Sequence, residues 1–98
     1  MASGVIKKTV SGFGDKISIT SFPFTASVDG VAIFFGDPTS SASDAYLYIG
    51  EDGSTKATEV SSAGRRITIT MPIKKGCVYS ISYERNIQTK SADIYPFA

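Results

Sequence analysis

The chain contains no histidine and no tryptophan, and it has one cysteine among its 98 residues. Without imidazole groups, Ser-His-Asp hydrolases, Cys-His proteases and zinc sites with histidine ligands are excluded. A single cysteine cannot form a disulfide within the chain or a Cys-x-x-Cys site. Together with the short chain and with carboxylates that lie only in turns, these absences predict a protein that has no enzymatic activity, and no cofactor is expected.

An excess of charge of either sign is also lacking. Ten Lys and Arg residues stand against nine Asp and Glu residues, which leaves a formal net charge of +1. A balance of this kind produces no field that would attract nucleic acid, so no nucleic-acid partner is expected. No apolar run approaches the roughly 20 residues that span a membrane, and the N-terminal residues lack the apolar segment of a signal peptide. The sequence therefore predicts synthesis in a cytoplasm without membrane insertion.

The remaining composition favours β-structure. Leucine, a strong helix former, occurs only at Leu47, whereas the β-branched isoleucine occurs eleven times. Short alternating segments recur about every 8–12 residues between turn signals, as in antiparallel sandwiches and barrels. We predict one domain over residues 1–98, with an all-β fold that is an antiparallel β-sandwich or jelly roll of seven to eight short strands. The predicted strands cover residues 5–10, 15–21, 31–35, 45–49, 55–61, 65–73, 77–84 and 92–97.

Three of these segments carry more specific expectations. Residues 31–35 are apolar at every position, which predicts a central strand covered on both faces, followed by a loop over residues 36–44. The polar segment 55–61 is typical of an exposed edge strand. Pro72 is expected to end the alternating pattern of the strand 65–73.

Tyr46 and Tyr48 alternate with Ala45, Leu47 and Ile49 along one predicted strand. If the aliphatic residues face the core, the two tyrosines form an exposed stripe that can stack on sugar rings or anchor a partner chain. If the tyrosines face the core, they are packing residues, and a third possibility is that both faces are covered. The sequence leaves these possibilities open.

Two further tyrosines, Tyr79 and Tyr83, share one face of the segment 77–84 with Cys77 and Ile81. This placement predicts that Cys77 is a free, buried and unreactive thiol. The candidate residues for an aromatic platform or an interface are therefore Tyr46, Tyr48, Tyr79 and Tyr83.

Loop carboxylates and basic doublets are the remaining candidates for a site. The carboxylates could in principle bind Ca²⁺, but they lack EF-hand spacing, and aspartate is an ordinary turn residue, so no metal site is predicted. Neighbouring residues of a strand point to opposite faces, so a basic doublet cannot place both charges on one patch. The residues concerned are the carboxylates Asp37, Asp44, Glu51 and Asp52 and the doublets 7–8, 65–66 and 74–75.

Three segments carry recognisable motifs. Residues 24–34 contain an aromatic-Thr-Ala-x-x-Asp-Gly-hydrophobic pattern, residues 69–76 contain hydrophobic-Pro-x-Lys-Lys-Gly, and residues 93–97 end in aromatic-Pro-aromatic. These segments resemble motifs of small β-sandwich modules in bacteriophage tail fibres and receptor-binding proteins, which have a C1q/TNF-like jelly-roll character. The chain departs from the family pattern at Ser27, where proline is frequent.

The resemblance implies a non-enzymatic component of a virion, made in the host cytoplasm. It further implies assembly as a homo-oligomer, a trimer, and binding to other tail proteins or to a glycan of the host surface. The alternative hypothesis is a monomeric carbohydrate-binding or adhesion module of a bacterium that uses the tyrosine stripe.

Overall fold

Eight β-strands make up the regular structure of the part of the chain that the computed structural model describes, residues 12–39, 44–61, 64–84 and 87–97. The predicted all-β class is confirmed, and the predicted strand over residues 5–10 lies outside the described residues. The strands are β1 (Ile17–Ile19), β2 (Phe24–Thr25), β3 (Gly30–Pro38), β4 (Ala45–Glu51), β5 (Ser54–Ser61), β6 (Ile67–Ile73), β7 (Val78–Glu84) and β8 (Ile87–Pro96).

The strands form two antiparallel sheets, each of four strands, in the orders β1-β8-β3-β6 and β2-β7-β4-β5. The first strand pairs with the eighth, the second with the seventh, the third with the sixth and the fourth with the fifth. This order results when one long antiparallel ribbon is rolled into two layers, which is the jelly-roll arrangement. The prediction of an antiparallel sandwich or jelly roll is therefore confirmed.

The core lies between the two sheets and is filled by alternate residues of their inner faces. Phe34 of β3 contacts Phe24 of β2 and Tyr79 of β7, with ring centroids 6.4 Å apart in both pairs, and Phe24 and Tyr79 are 5.7 Å apart. Each such aromatic pair adds about 0.5–1.5 kcal/mol beyond the burial of its area. This aromatic triad joins the two layers because its members come from both sheets.

Several predicted strand ends are wrong. The predicted loop begins inside β3, which continues to Pro38 because Gly36 and Asp37 pair with Lys90 and Thr89 of β8. The last strand, β8, begins at Ile87 rather than at residue 92, and β2 was not predicted. Strand β6 runs through Pro72 and ends at Ile73, which is the predicted end of that strand. Proline is tolerated there because β6 is the edge strand of its sheet, so its outer side needs no hydrogen-bond donor. The predicted edge strand at residues 55–61 is confirmed as β5.

Strand β3 lies at the centre of its sheet, between β8 and β6, as predicted. Its inner residues Ala32 and Phe34 are completely buried, but Val31, Ile33 and Phe35 are only partly buried on the outer face. The prediction that this strand is covered on both faces is wrong within the described residues. A two-layer fold supplies a second sheet on one side only.

Candidate binding surface

Tyr46 and Tyr48 lie on the outer face of the sheet β2-β7-β4-β5. Ala45, Leu47 and Ile49 are buried in the core, so the alternation of β4 directs both tyrosines outward. The two rings are nearly parallel, with an interplanar angle of 10° and centroids 6.5 Å apart. Of the possibilities that the sequence leaves open, the structure has the tyrosines outside the core and partly exposed.

Residues of both neighbouring strands surround this pair. The hydroxyl of Tyr48 donates a hydrogen bond of 2.8 Å to Oε1 of Glu84 on β7, and this bond is the main cause that raises the pKa of Tyr48. On the other side, Thr58 and Val60 of β5 are the cross-strand partners of Tyr48 and Tyr46. We call Tyr46, Tyr48, Thr58, Val60 and Glu84 the tyrosine surface.

The tyrosine surface combines flat aromatic rings with hydrogen-bonding groups at its rim. Aromatic rings stack well on flat partners that are apolar on one face, and tyrosine adds a polar hydroxyl. The Glu84 carboxylate accepts hydrogen bonds, and the Thr58 hydroxyl both donates and accepts them. Sugar rings and aromatic side chains of a partner protein both fit this chemistry. The arrangement is therefore suited to recognition by stacking and hydrogen bonding.

The other two candidate tyrosines lie elsewhere. Tyr79 is completely buried in the core, so the structure removes it from the candidate platform. Tyr83 is 45% exposed, but it pairs with Leu47 and therefore belongs to the opposite side of the sheet from Tyr46 and Tyr48. The ammonium group of Lys90 lies 5.0 Å from the centroid of the Tyr83 ring. The four tyrosines therefore do not form one continuous surface.

Protein donors hold Asp37, Glu51 and Asp52, three of the candidate carboxylates, in place. Asp37 accepts hydrogen bonds from Arg66 at 2.7 Å and from Thr89 at 2.7 Å, and the bond from Arg66 is the largest cause that lowers its pKa. Asp52 accepts a hydrogen bond of 2.8 Å from the N–H of Val78, which lowers its pKa. Among the residues that the structure describes, no group of three or more His, Cys, Asp or Glu side chains could hold a metal ion.

Cys77 is half-buried rather than buried, and it precedes β7. Burial raises the pKa of its thiol, and a hydrogen bond to Asp52 raises that pKa further. Since the thiolate is the nucleophilic form, the thiol is poorly suited to attack a substrate.

A second surface lies on the outer face of the sheet β1-β8-β3-β6, and we did not predict it as a site. Phe13, Val31, Ile33 and Tyr95 line an open groove of about 620 Å³ there. The signal in the sequence was the run of apolar residues over 31–35, which fills both faces of β3.

No described segment forms a helix long and apolar enough to cross a membrane.

Comparison with known proteins identifies no relative of this chain. No protein-family model matches the chain, and no curated protein matches its sequence.

Proposed function

We propose that this protein is a non-enzymatic structural or receptor-binding module of a bacteriophage tail or fibre that assembles as a homo-oligomer. The tyrosine surface carries the proposal, because Tyr46 and Tyr48 stand in parallel on the outside of a sheet whose core is already filled. The motifs at residues 24–34, 69–76 and 93–97, which resemble those of tail-fibre modules, support the assignment to a virion.

The fold and the state of the polar groups also support a binding role. Double-sheet jelly rolls occur in viral capsid proteins and lectins, although a fold alone does not define a function. Asp37, Asp52 and Glu51 accept hydrogen bonds from protein donors, and the pKa of the Cys77 thiol is raised. These groups are therefore engaged in the structure rather than presented as a nucleophile or a general base.

Light scattering tests the proposed assembly. The chain has a mass of 10.4 kDa, and a homo-oligomer gives an integral multiple of it. Micromolar solutions that contain only the monomer would contradict this part of the proposal. A trimer is the expected state.

Binding to a glycan array that includes bacterial surface polysaccharides tests the receptor-binding role. Replacing Tyr46 and Tyr48 together by Ala should weaken binding at least about tenfold and leave the fold intact, because both rings lie outside the core. Val78→Ala is the matched control, since Val78 is 40% exposed on the same sheet face. Equal losses in both variants would contradict the role of the tyrosine surface. A stable oligomer that binds no glycan would support the structural role.

The alternative is a carbohydrate-binding or adhesion module of a bacterium, and the same tyrosine surface favours it. The two proposals differ in assembly. A monomer that binds a sugar through Tyr46 and Tyr48 supports the alternative, whereas an oligomer that binds bacterial surface glycan supports the tail module.

A further inference from the structure

An apolar stripe crosses the outer face of the sheet β1-β8-β3-β6. Its residues alternate with core residues along β3 and β8, and the ring of Phe13 lies 6.1 Å from Tyr95 and 5.9 Å from Phe97, measured between centroids. All are partly buried except Phe97, which is 54% exposed. The members of this apolar stripe are Phe13, Val31, Ile33, Phe35, Tyr95 and Phe97.

The stripe is unusual for a two-layer sandwich, in which the outer face of an antiparallel sheet is normally polar. Side chains of the described residues cover its two ends. Phe13 packs on Tyr95 at one end, and the guanidinium carbon of Arg66 lies 4.6 Å from the centroid of Phe35 at the other. Between the two ends, Val31 and Ile33 line the open groove of about 620 Å³. The centre of the stripe is thus left for another occupant.

We propose that a second copy of this chain covers the apolar stripe, and that the stripe is the surface of self-association. This inference rests on the homo-oligomer of the proposed function and names the interface of that oligomer.

The charges beside the stripe fit a second copy. Asp15 and Lys16 line the groove, Asp93 is the outer-face neighbour of Ile33 on β8, and Arg66 lies over the ring of Phe35. A second copy therefore brings charges of both signs to a surface that also carries both, so association does not place charges of a single sign against each other. Nucleic acid and anionic membranes carry charge of one sign and gain little from such a balanced rim.

The size of the face fits a weak association between copies. The four strands lie about 4.8 Å apart and average about seven residues at about 3.3 Å each, which gives a face of roughly 19 by 24 Å. Two such faces bury roughly 900 Å² in total, which is the size of a weak or transient interface. Association through the stripe is therefore expected to depend on concentration.

Sedimentation equilibrium of the full chain and its variants tests the interface. Ile33→Lys places a charge at the centre of the stripe and should raise the dissociation constant at least about tenfold. Ile33→Thr keeps a β-branched side chain for the strand and should act in the same direction. Val78→Lys is the matched control, because Val78 is 40% exposed on the outer face of the other sheet and does not belong to the tyrosine surface. Circular dichroism confirms that each variant is folded.

The outcomes separate this inference from the proposed function. If Val78→Lys dissociates the oligomer and Ile33→Lys does not, the proposed interface is overturned, but the proposed assembly stands. A monomeric wild-type chain overturns the interface, while glycan binding through the tyrosine surface would still support a receptor-binding role.

A photo-cross-linker at position 95, introduced as Tyr95→p-benzoylphenylalanine, identifies the occupant directly. A covalent product with the mass of two chains supports the proposal. A product with the mass of one chain, in which position 95 is joined to residues 1–11, overturns it and identifies that segment as the occupant.

Discussion

The hydroxyl of Tyr79 donates a hydrogen bond of 2.6 Å to Oε2 of Glu51, although the tyrosine ring is completely buried. The same hydroxyl oxygen accepts a hydrogen bond of 2.8 Å from the N–H of Lys74. Glu51 ends β4 and Lys74 follows β6, so these two bonds reach from β7 to both sheets. Tyr79 therefore joins the two layers through its hydroxyl as well as through its ring.

Replacing Tyr79 by Phe should lower the free energy of unfolding by about 1–3 kcal/mol, because the Lys74 N–H and the Glu51 carboxylate both lose a partner. Urea denaturation measures the loss. Tyr48→Phe is the matched control, since the bond from its hydroxyl to Glu84 lies on the surface. If Tyr48→Phe lowers the free energy of unfolding as much as Tyr79→Phe does, the special role of the Tyr79 hydroxyl is contradicted.

Alkaline stability should depend on the same residue. Burial, and then the hydrogen bond to Glu51, raise the pKa of Tyr79 far above its ordinary value. The unfolded chain then loses the phenol proton of Tyr79 at about pH 10, while the folded chain retains it. The contribution of Tyr79 to the free energy of unfolding is therefore complete below about pH 10 and is lost as the pH rises further. Urea denaturation across this range should show a steeper loss in the wild type than in Tyr79→Phe. If the free energy of unfolding falls equally steeply with pH in both proteins, Tyr79 is not the cause of the alkaline loss of stability.

Acid stability should depend on Asp37. Its pKa is lowered, first by the hydrogen bond from Arg66, so between the two pKa values the unfolded state binds more protons than the folded state. The stabilisation is complete above about pH 4 and is lost as the pH falls through the lowered pKa. Asp37→Asn should be less stable at neutral pH and should lose less stability on acidification. Urea denaturation across this pH range measures the free energy of unfolding of both proteins, and an equal loss on acidification in Asp37→Asn and in the wild type would contradict the role of Asp37.

Gly30 should not tolerate a side chain. A Cβ there would collide with the carbonyl oxygen of Tyr95 and lie 2.9 Å from Cα of Pro96, and both are backbone atoms of β8. Gly30→Ala should destabilise the protein by about 1–3 kcal/mol through the forced backbone shift. Gly14→Ala is the matched control, because its Cβ would meet Pro96 at an ordinary 3.7 Å. Thermal unfolding of both variants measures the difference, and equal melting temperatures would contradict the prediction.

Much of the sheet structure could be predicted because alternation along a strand is a local property. The alternation at Ala45, Leu47 and Ile49 was enough to place the strand. It was compatible with burial of either face of that strand. Which face is buried depends on which side of the sheet β2-β7-β4-β5 packs against the other sheet, and that packing is non-local. The exposure of Tyr46 and Tyr48 was therefore decided by the fold.

The burial of Tyr79 shows the same limit. Tyr79 and Tyr83 have the same spacing and face in the sequence, yet Tyr79 lies beneath Phe34 and Tyr83 is 45% exposed beyond the core. The two tyrosines differ in exposure because only Tyr79 lies at a position of β7 that the opposite sheet covers. No local pattern in the sequence predicts which position is covered. The same is true of the end of β3, where the partner residues Thr89 and Lys90 lie some fifty residues further along the chain.

Local sequence was sufficient to predict the fold class, because isoleucine-rich alternation with frequent turn residues favours sheets along the chain. It was also sufficient to exclude imidazole chemistry, since the protein has no histidine. Which aromatic residues reach the surface depends instead on tertiary packing. The rolling of the chain into two layers buries one face of each sheet, and it leaves the tyrosine surface and the apolar stripe on the other two.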